Sequence, residues 1–420
     1  MKSSWEYKRL IDLGTFSRGI SKHRPRNDQI LFTNGKYPFV QTSDVKKANL
    51  YIKSNSEFYN EVGLSQSKLW PKGTLCITIA ANIAETGILA YPMCFPDSIV
   101  GFTANEKFSS ELFMYYVFEY LKQQIQNQAS GSIQDNINIE YLTNLKIRIP
   151  DKKSQDTISD LLSTLDTKII NNNAIAQQLE VMVKTIYDYW FLQFEFPNEE
   201  GKPYKSSGGK MVWNEELQRE IPAGWEVADL VNNPLTKLIK PGIKKFSGTK
   251  RYLATADVNG TSYSTGSNIT FDNRESRANM QPTLNSIWFA KMKDSIKHLY
   301  LNKELNSIIE ETILSTGFCG IQCDEHSFEY LSSFIESDYF EKVKNQLAHG
   351  ATQQAVNNVD LQSVKLVIPS EEVVDKFHEV TKSMFSLISK NKVENTNLTA
   401  LRDFLLPLLM NGQVSVVEKE

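Results

Sequence analysis

The chain has 420 residues, a net charge of −3 from 46 Lys+Arg against 49 Asp+Glu, and four cysteines. That is ample for two domains with real cores plus connecting helices. No run of eighteen apolar residues occurs, and Met1-Lys2-Ser3-Ser4-Trp5 leads into charged residues and not a signal segment, so a cytoplasmic protein with no membrane partner is expected. Cys76, Cys94, Cys319 and Cys323 are too few to suggest a disulfide framework, and Cys319, Cys323 and His326 lack the second ligand pair that a zinc site needs, so no metal is expected.

Residues 1–153 read as a first α/β domain. Short β-branched and aromatic runs such as Thr74-Leu75-Cys76-Ile77-Thr78-Ile79 are broken by Gly, Pro and Asn, and one helix is predicted from about Ser110 to Gln128. A long helix follows over 154–194. Taking Ile158 as heptad position a gives Ile158, Leu165, Asn172, Leu179 and Ile186 at a, and Leu162, Ile169, Ala176, Val183 and Trp190 at d, which is a coiled-coil pattern. Residues 195–222, rich in Gly, Ser and Lys, read as an exposed connector. A second α/β domain spans 223–369 with a late helix near Ser327 to Leu347. The last helix covers 370–412 and ends at Asn411-Gly412, a plausible C-terminal cap.

The chain is written twice. Gly131-Ser132-Ile133-Gln134, with Asn138, Leu142, Lys146 and Ile149-Pro150, returns 219 residues later as Gly350-Ala351-Thr352-Gln353, Asn357, Leu361, Lys365 and Ile368-Pro369; seven of twenty positions are identical without a gap, which excludes coincidence in segments of ordinary composition. The openings match too: Trp5-Glu6 with Leu10 parallels Trp225-Glu226 with Leu230, and Val40 to Val45 parallels Leu253 to Val258. The same offset carries the heptads to Phe377, Met384, Asn391, Leu398 and Leu405 at a, with Thr381, Ile388, Asn395, Arg402 and Leu409 at d. Thr381, Asn395 and Arg402 are poor d residues, so the second helix is expected to lean on other neighbours as well. Asn172 and Asn391 share one a position, where a buried amide fixes register; the other reading is that each caps or interrupts its helix. Between the matching frames the halves diverge, as two modules of one fold with different recognition surfaces would.

Charge distribution says more than the total. Arg18, Lys22, His23, Arg24 and Arg26 cluster in the first half, and Lys237, Lys240, Lys244, Lys245, Lys250 and Arg251 occupy fifteen acid-free residues at the matching place in the second. Equivalent placement favours contact with DNA phosphates over a merely solvated face. A third group, Arg274, Arg277, Lys291, Lys293, Lys297 and His298, surrounds the apolar run Ser286-Ile287-Trp288-Phe289; the alternative there is a strand with its lysines outward. Ser132, Gln134 and Gln353 in the repeated turns complete the candidate DNA contacts.

Catalytic motifs are missing. The sequence holds no nucleotide-binding Gly-rich loop and no tetrapeptide suited to a flipped adenine. Glu200-Gly201-Lys202 and Asp151-Lys152-Lys153 match only the acid-x-Lys half of a nuclease motif. A DNA-modifying enzyme, a fused methylase or nuclease with two DNA-binding repeats, and a protein-only coiled-coil scaffold are the rival readings.

The whole chain resembles the specificity (S) subunits of type I restriction-modification systems. The resemblance rests on Trp5 to Gly14, Gly131 to Pro150, Tyr187 to Pro197, Gly201 to Trp213, Ile221 to Trp225 and Leu401 to Gly412. One departure is Ala351, which lacks the hydroxyl of Ser132. The resemblance implies a mixed α/β fold with two target-recognition domains separated by two long helices that form an antiparallel coiled coil. It implies that each domain reads half of a bipartite asymmetric site on double-stranded DNA, and that the helices dock two methylation subunits. It further implies that restriction subunits join the complex, and that S-adenosylmethionine, ATP and Mg2+ serve those partners while this chain binds no cofactor and catalyses nothing.

Overall fold

The computed structural model describes residues 5–130, 137–350 and 354–416. The fold is mixed α/β, in two compact units: Met1–Asn171 with Asn395–Glu420, and Asn172–Glu394. Two long helices, Lys152–Tyr187 and Glu371–Met410, each contribute to both units.

The first unit is built on a five-stranded sheet in the order Gly14–Arg18, Ile99–Ala104, Leu75–Thr78, Thr86–Leu89, Tyr51–Ile52. The central strand is buried along its whole length, with Leu75, Cys76 and Ile77 apolar and the Thr78 hydroxyl bonded to the main chain. Across the sheet lies the helix Glu111–Ser130, started by Ser110 Oγ accepting from the Phe113 amide at 3.2 Å. Met114, Val117, Phe118, Leu121 and Ile125 recur at helical spacing and join Leu75, Ile77 and Phe102 in one core.

The second unit repeats the same frame. Thr236–Ile239, Phe318–Gln322, Ser286–Ala290 and His298–Leu301 follow one another in its sheet in the order of the first four strands above. Each half pins its opening strand to the strand before the long helix: Glu6 pairs with Ile149 and Glu226 with Ile368, both antiparallel. Asp44 and Asp257 close equivalent turns, accepting from Gln41 N at 2.9 Å and Ala254 N at 2.8 Å. A glycine sits at one place in both sheets, Gly101 opposite Cys76 and Gly320 opposite Trp288. A Cβ on Gly320 would stand 2.5 Å from the Trp288 ring, and one on Gly101 2.9 Å from the Trp70 ring, so the close approach of an indole requires glycine there.

Two expectations differ from the structure. The helix predicted near 327–347 is two helices, Phe328–Ile335 and Asp338–Leu347, because Ser337 turns extended and its Oγ accepts from the Phe340 amide at 3.2 Å. Residues 195–222 are not a plain exposed linker. They carry the hairpin Met211–Asn214/Arg219–Pro222, and Phe196 stacks between Tyr204 and Trp225 at 4.5 and 5.0 Å. Aromatic side chains scattered among Gly, Ser and Lys supply the burial that composition averages hide.

The heptad positions of both long helices are buried or half-buried throughout the seam. In the second unit Asn172 and Asn391 meet inside uninterrupted helices: Asn391 Nδ2 donates to Asn172 O at 3.3 Å, and Asn172 Nδ2 donates to Glu394 at 2.7 Å. Thr381 is fully buried and returns its hydroxyl to Phe377 O at 2.7 Å, which makes it an acceptable d residue. In the first unit Arg402 is held by Asp166, Nη1 to Oδ1 at 2.7 Å, while Tyr116 donates to the other oxygen at 2.6 Å. An arginine in the seam is thus explained by a nearly buried carboxylate opposite it. Asp166→Ala should destabilise the protein by about 1–3 kcal/mol, because it leaves the buried Tyr116 phenol without its acceptor while Arg402 keeps only the exposed Asp403; urea unfolding measures this, and a loss near zero would show that the pair is dispensable.

A second buried ionic cluster joins strand His298–Leu301 to the helix pair of its domain. His298, 1% exposed, is bonded to Glu336 at 2.9 Å and Glu341 at 3.1 Å; Lys344 donates to Glu341 at 2.8 Å, and Tyr300 donates to Glu336. With a carboxylate at each ring nitrogen, His298 is an imidazolium donating twice. Burial opposes its charge, but the hydrogen bonds to Glu336 and Glu341 outweigh this and raise its pKa. Burial likewise opposes ionisation of Glu336 and Glu341, and bonding to His298 overcomes it and lowers both. A raised histidine stabilises fully below its unfolded pKa of about 6.5 and loses that contribution as pH rises through the folded value; lowered glutamates stabilise above about 4.3 and lose it as pH falls through theirs. The stability gap between wild type and His298→Gln should therefore be larger at pH 6 than at pH 9 in urea titrations. A gap that does not change with pH would mean that the ring acts as a neutral packing group.

Candidate nucleic-acid interface

Duplication places one structural corner in both halves. In the first, Ile79, just past the central strand, donates its amide to Ser98 O at 2.9 Å and its carbonyl accepts from Ile137 N at 2.9 Å. In the second, Lys291 N donates to Gly317 O at 3.0 Å and Lys291 O accepts from Val356 N at 2.9 Å. Ile137 and Val356 are 219 residues apart, the repeat offset. Each follows the repeated glycine segment of the sequence and precedes an Asn whose side chain caps the next helical turn: Asn138 accepts from Glu140 N at 3.1 Å, Asn357 from Val359 N at 2.8 Å. The turn residues Ser132, Gln134 and Gln353 themselves lie outside the described residues.

In the first half this corner opens into a cleft lined by Arg18, Arg26, Ile79, Ala80, Asp97, Ser98, and Asn138 beside Ile137. Arg18 ends its strand opposite Val100, is exposed, and has no ion pair among the described residues. Lys22 is also exposed with its ammonium unpaired among the described residues. The rest of this basic stretch is compensated. Arg26 donates to Asp97 at 2.8 Å; Arg24 donates to Ser21 O and His23 O, both at 2.7 Å, with Asp97 at 4.0 Å; and His23 is bonded to Asp28 at 2.8 Å. Bonding to His23 holds the Asp28 carboxyl below the usual carboxylate range. The cluster that looked like five free cations therefore presents two, plus arginines fixed on a carboxylate.

In the second half the expected cations separate. Lys240 follows strand Thr236–Ile239 where Arg18 ends the equivalent strand, and Lys244 and Lys245 are exposed on the loop beyond it. That loop runs beside strand Ala278–Met280, Gly242 N donating to Asn279 O at 2.8 Å. Arg277 joins the corner, its carbonyl accepting from Thr316 N at 2.8 Å. Lys291 is the corner residue, and Lys293 binds Gln354 through main chain and side chain, both at 2.9 Å. Lys250 and Arg251 lie at the far end of the parallel strand pair Lys250–Leu253/Thr312–Ser315, where Lys250 donates to Glu310 O and Arg251 to Glu311 at 3.2 Å. Unlike Lys244 and Lys245 they are tied into the start of a sheet strand, with Lys250 Nζ 5.4 Å over the Phe246 ring. Arg274 stacks on Phe271 at 4.1 Å and donates to its carbonyl. Sequence reasoning did not find Asp97, Ser98, Gly317 or the corner role of Ile79, which share no side-chain identity between the halves.

Cys319 and Cys323 are buried free thiols whose pKa values burial pushes up, and His326 is bonded to Asp375 at 2.8 Å. Among the described residues no group of three or more His, Cys, Asp or Glu could hold a metal ion, and no helix is long and apolar enough to cross a membrane.

A duplicated α/β frame with long seam helices and basic, loop-built corners defines a class of paired recognition modules. The type I restriction modification DNA specificity domain matches residues 2–181. The MjaIX specificity subunit of Methanocaldococcus jannaschii is 25% identical, over 99% of this chain and 94% of that protein; the HindI specificity subunit of Haemophilus influenzae is 23% identical over 96% and 98%. The crystal structure of the type I S subunit from M. genitalium shares the fold, with TM-score 0.60 and 16% identity over 97% of this chain and 96% of that one. From end to end the chain is similar to type I restriction-modification specificity subunits, and the model of their DNA specificity domain matches its first part. The rival reading as a fused methylase or nuclease has no support among these relatives.

If the exposed lysines meet phosphates, Lys244→Ala with Lys245→Ala should weaken binding of the assembled complex to every duplex and reduce the salt slope of binding by up to about 0.9 for each phosphate no longer neutralised. Lys250→Ala with Arg251→Ala should leave the slope unchanged. Anisotropy titrations across a salt series distinguish the two pairs, and equal slopes for all variants would return Lys244 and Lys245 to the solvated surface.

Proposed function

We propose that each domain reads one half of a bipartite asymmetric target in double-stranded DNA, using side chains mounted on its corner. The two long helices act as the spacer that sets the gap between half-sites and as the dock for two methylation subunits. Restriction subunits complete the assembly. In this reading S-adenosylmethionine, ATP and Mg2+ belong to the partner subunits, and this chain supplies the address. The observation that carries it is the repeated corner: the same main-chain bonds hold Ile79 and Lys291, while Ile79/Lys291, Ser98/Gly317 and Asp97/Thr316 differ at equivalent places. Phosphate contacts orient a protein on the duplex, but only side chains aimed at base edges specify sequence, so a constant backbone with variable side chains suits two separate readers.

Replacing residues 1–153 by the corresponding domain of another specificity subunit should change one half-site and leave the other intact. Methylome sequencing of cells carrying the hybrid checks this; a simultaneous change in both half-sites would count against independent reading.

A further inference from the structure

The equivalence of the two corners exposes a difference between them. Ser98 and Gly317 accept the same hydrogen bond, from Ile79 N and Lys291 N. The preceding residues are therefore equivalent: Asp97 in the first half and Thr316 in the second. Each half brings an arginine to this position. In the first, Arg26 is fixed by Asp97 at 2.8 Å. In the second, Arg277 is anchored by its own carbonyl, which accepts from Thr316 N at 2.8 Å, but threonine offers its guanidinium no carboxylate. Among the described residues that guanidinium has no hydrogen bond and no ion pair, and Arg277 is exposed.

The guanidinium is nevertheless positioned. A Cβ built on Gly317 would lie 3.3 Å from Arg277 Nη2, 2.8 Å from Thr255 Cγ2 and 3.4 Å from Ser315 Oγ, so Arg277 lies across the bare face of a glycine beside Thr255. Lys297 donates to Thr255 O at 2.5 Å, which ties that residue down. Lys291 and Lys293 flank the corner. Donors abound here, and an arginine with five of them is the one side chain present that can address two acceptors in a plane. In the major groove the base edge with two adjacent acceptors is that of guanine, O6 and N7.

We propose that Arg277 is a specificity-determining residue of the second domain, reading one guanine through a bidentate contact, with Gly317 leaving the room in which its guanidinium lies. The inference rests on the reading of this domain as the reader of one half-site.

The test is methylome sequencing of cells carrying the complete restriction-modification system with the wild-type chain, R277A, R277K or G317A. Wild type should give a bipartite motif; absence of one would overturn the half-site reading itself, and this proposal with it. Given the motif, R277A should relax one guanine position of one half-site by at least about tenfold and leave the other half-site unchanged. R277K keeps the charge but loses the fork, so it should retain methylation while relaxing the same position. This arm keeps the test decisive if R277A gives an inactive complex. G317A, whose new methyl crowds Thr255 and Nη2, should disturb that same position. An unchanged motif with weaker methylation at all sites would make Arg277 a phosphate contact and overturn the proposal, as would full specificity in R277K or relaxation at a base other than guanine.

Discussion

The corners of both halves depend on one main-chain arrangement, in which the residue past the central strand donates to the turn before the neighbouring strand and accepts from the residue six positions after the repeated glycine. Ile79 makes these bonds with Ser98 and Ile137, and Lys291 makes them with Gly317 and Val356. Backbone amides and carbonyls in such a corner must be paired whatever the side chains are. That requirement fixes where three loops meet and leaves the side chains free to vary. It accounts for a frame that survived duplication alongside corner chemistry that did not: an aspartate-clamped arginine in one half, an unclamped one in the other.

The helices show the same separation between a fixed frame and local chemistry. Asn172 and Asn391, equated by the repeat, meet each other in the seam of the second unit, where a misregistered pairing would bury an amide without a partner. Arg402 answers Asp166 in the first unit, so the helix position that looks poorest by heptad rules is the one with a dedicated counter-charge. Polar residues here trade some stability for a unique alignment. A spacer would need that property, since a slipped register would displace everything mounted on it.

Charge in this protein has to be counted after pairing. The basic residues of the two patches suggested matching phosphate surfaces, but Arg26, His23, Lys250 and Arg251 are occupied by Asp97, Asp28, Glu310 and Glu311 or their carbonyls. A cation held by a carboxylate contributes little to the long-range field that draws DNA, though it can still present fixed donors at short range. The distinction between attracting cations and ordered donors divides the surface into Lys244-like and Arg26-like residues.

The sequence by itself determined the duplication, both long helices with their seams, the strand-rich character of the two domains and the family resemblance, because periodicity, repeat identity and motifs are properties of the chain in order. The helix cap at Gly412, which takes φ +75°, was equally legible from local chemistry. Only the tertiary structure decided that Ser337 splits a helix, that Phe196, Tyr204 and Trp225 order the polar connector, and that Lys250 is tied to Glu310. It also brought Ser98 and Gly317 to equivalent places with no shared side chain. In each case the deciding partner is remote in sequence: a stacked ring, a facing acid or a carbonyl on a neighbouring strand. Local pattern carries no record of such a partner, and chain order cannot reveal which of two similar lysines will find one.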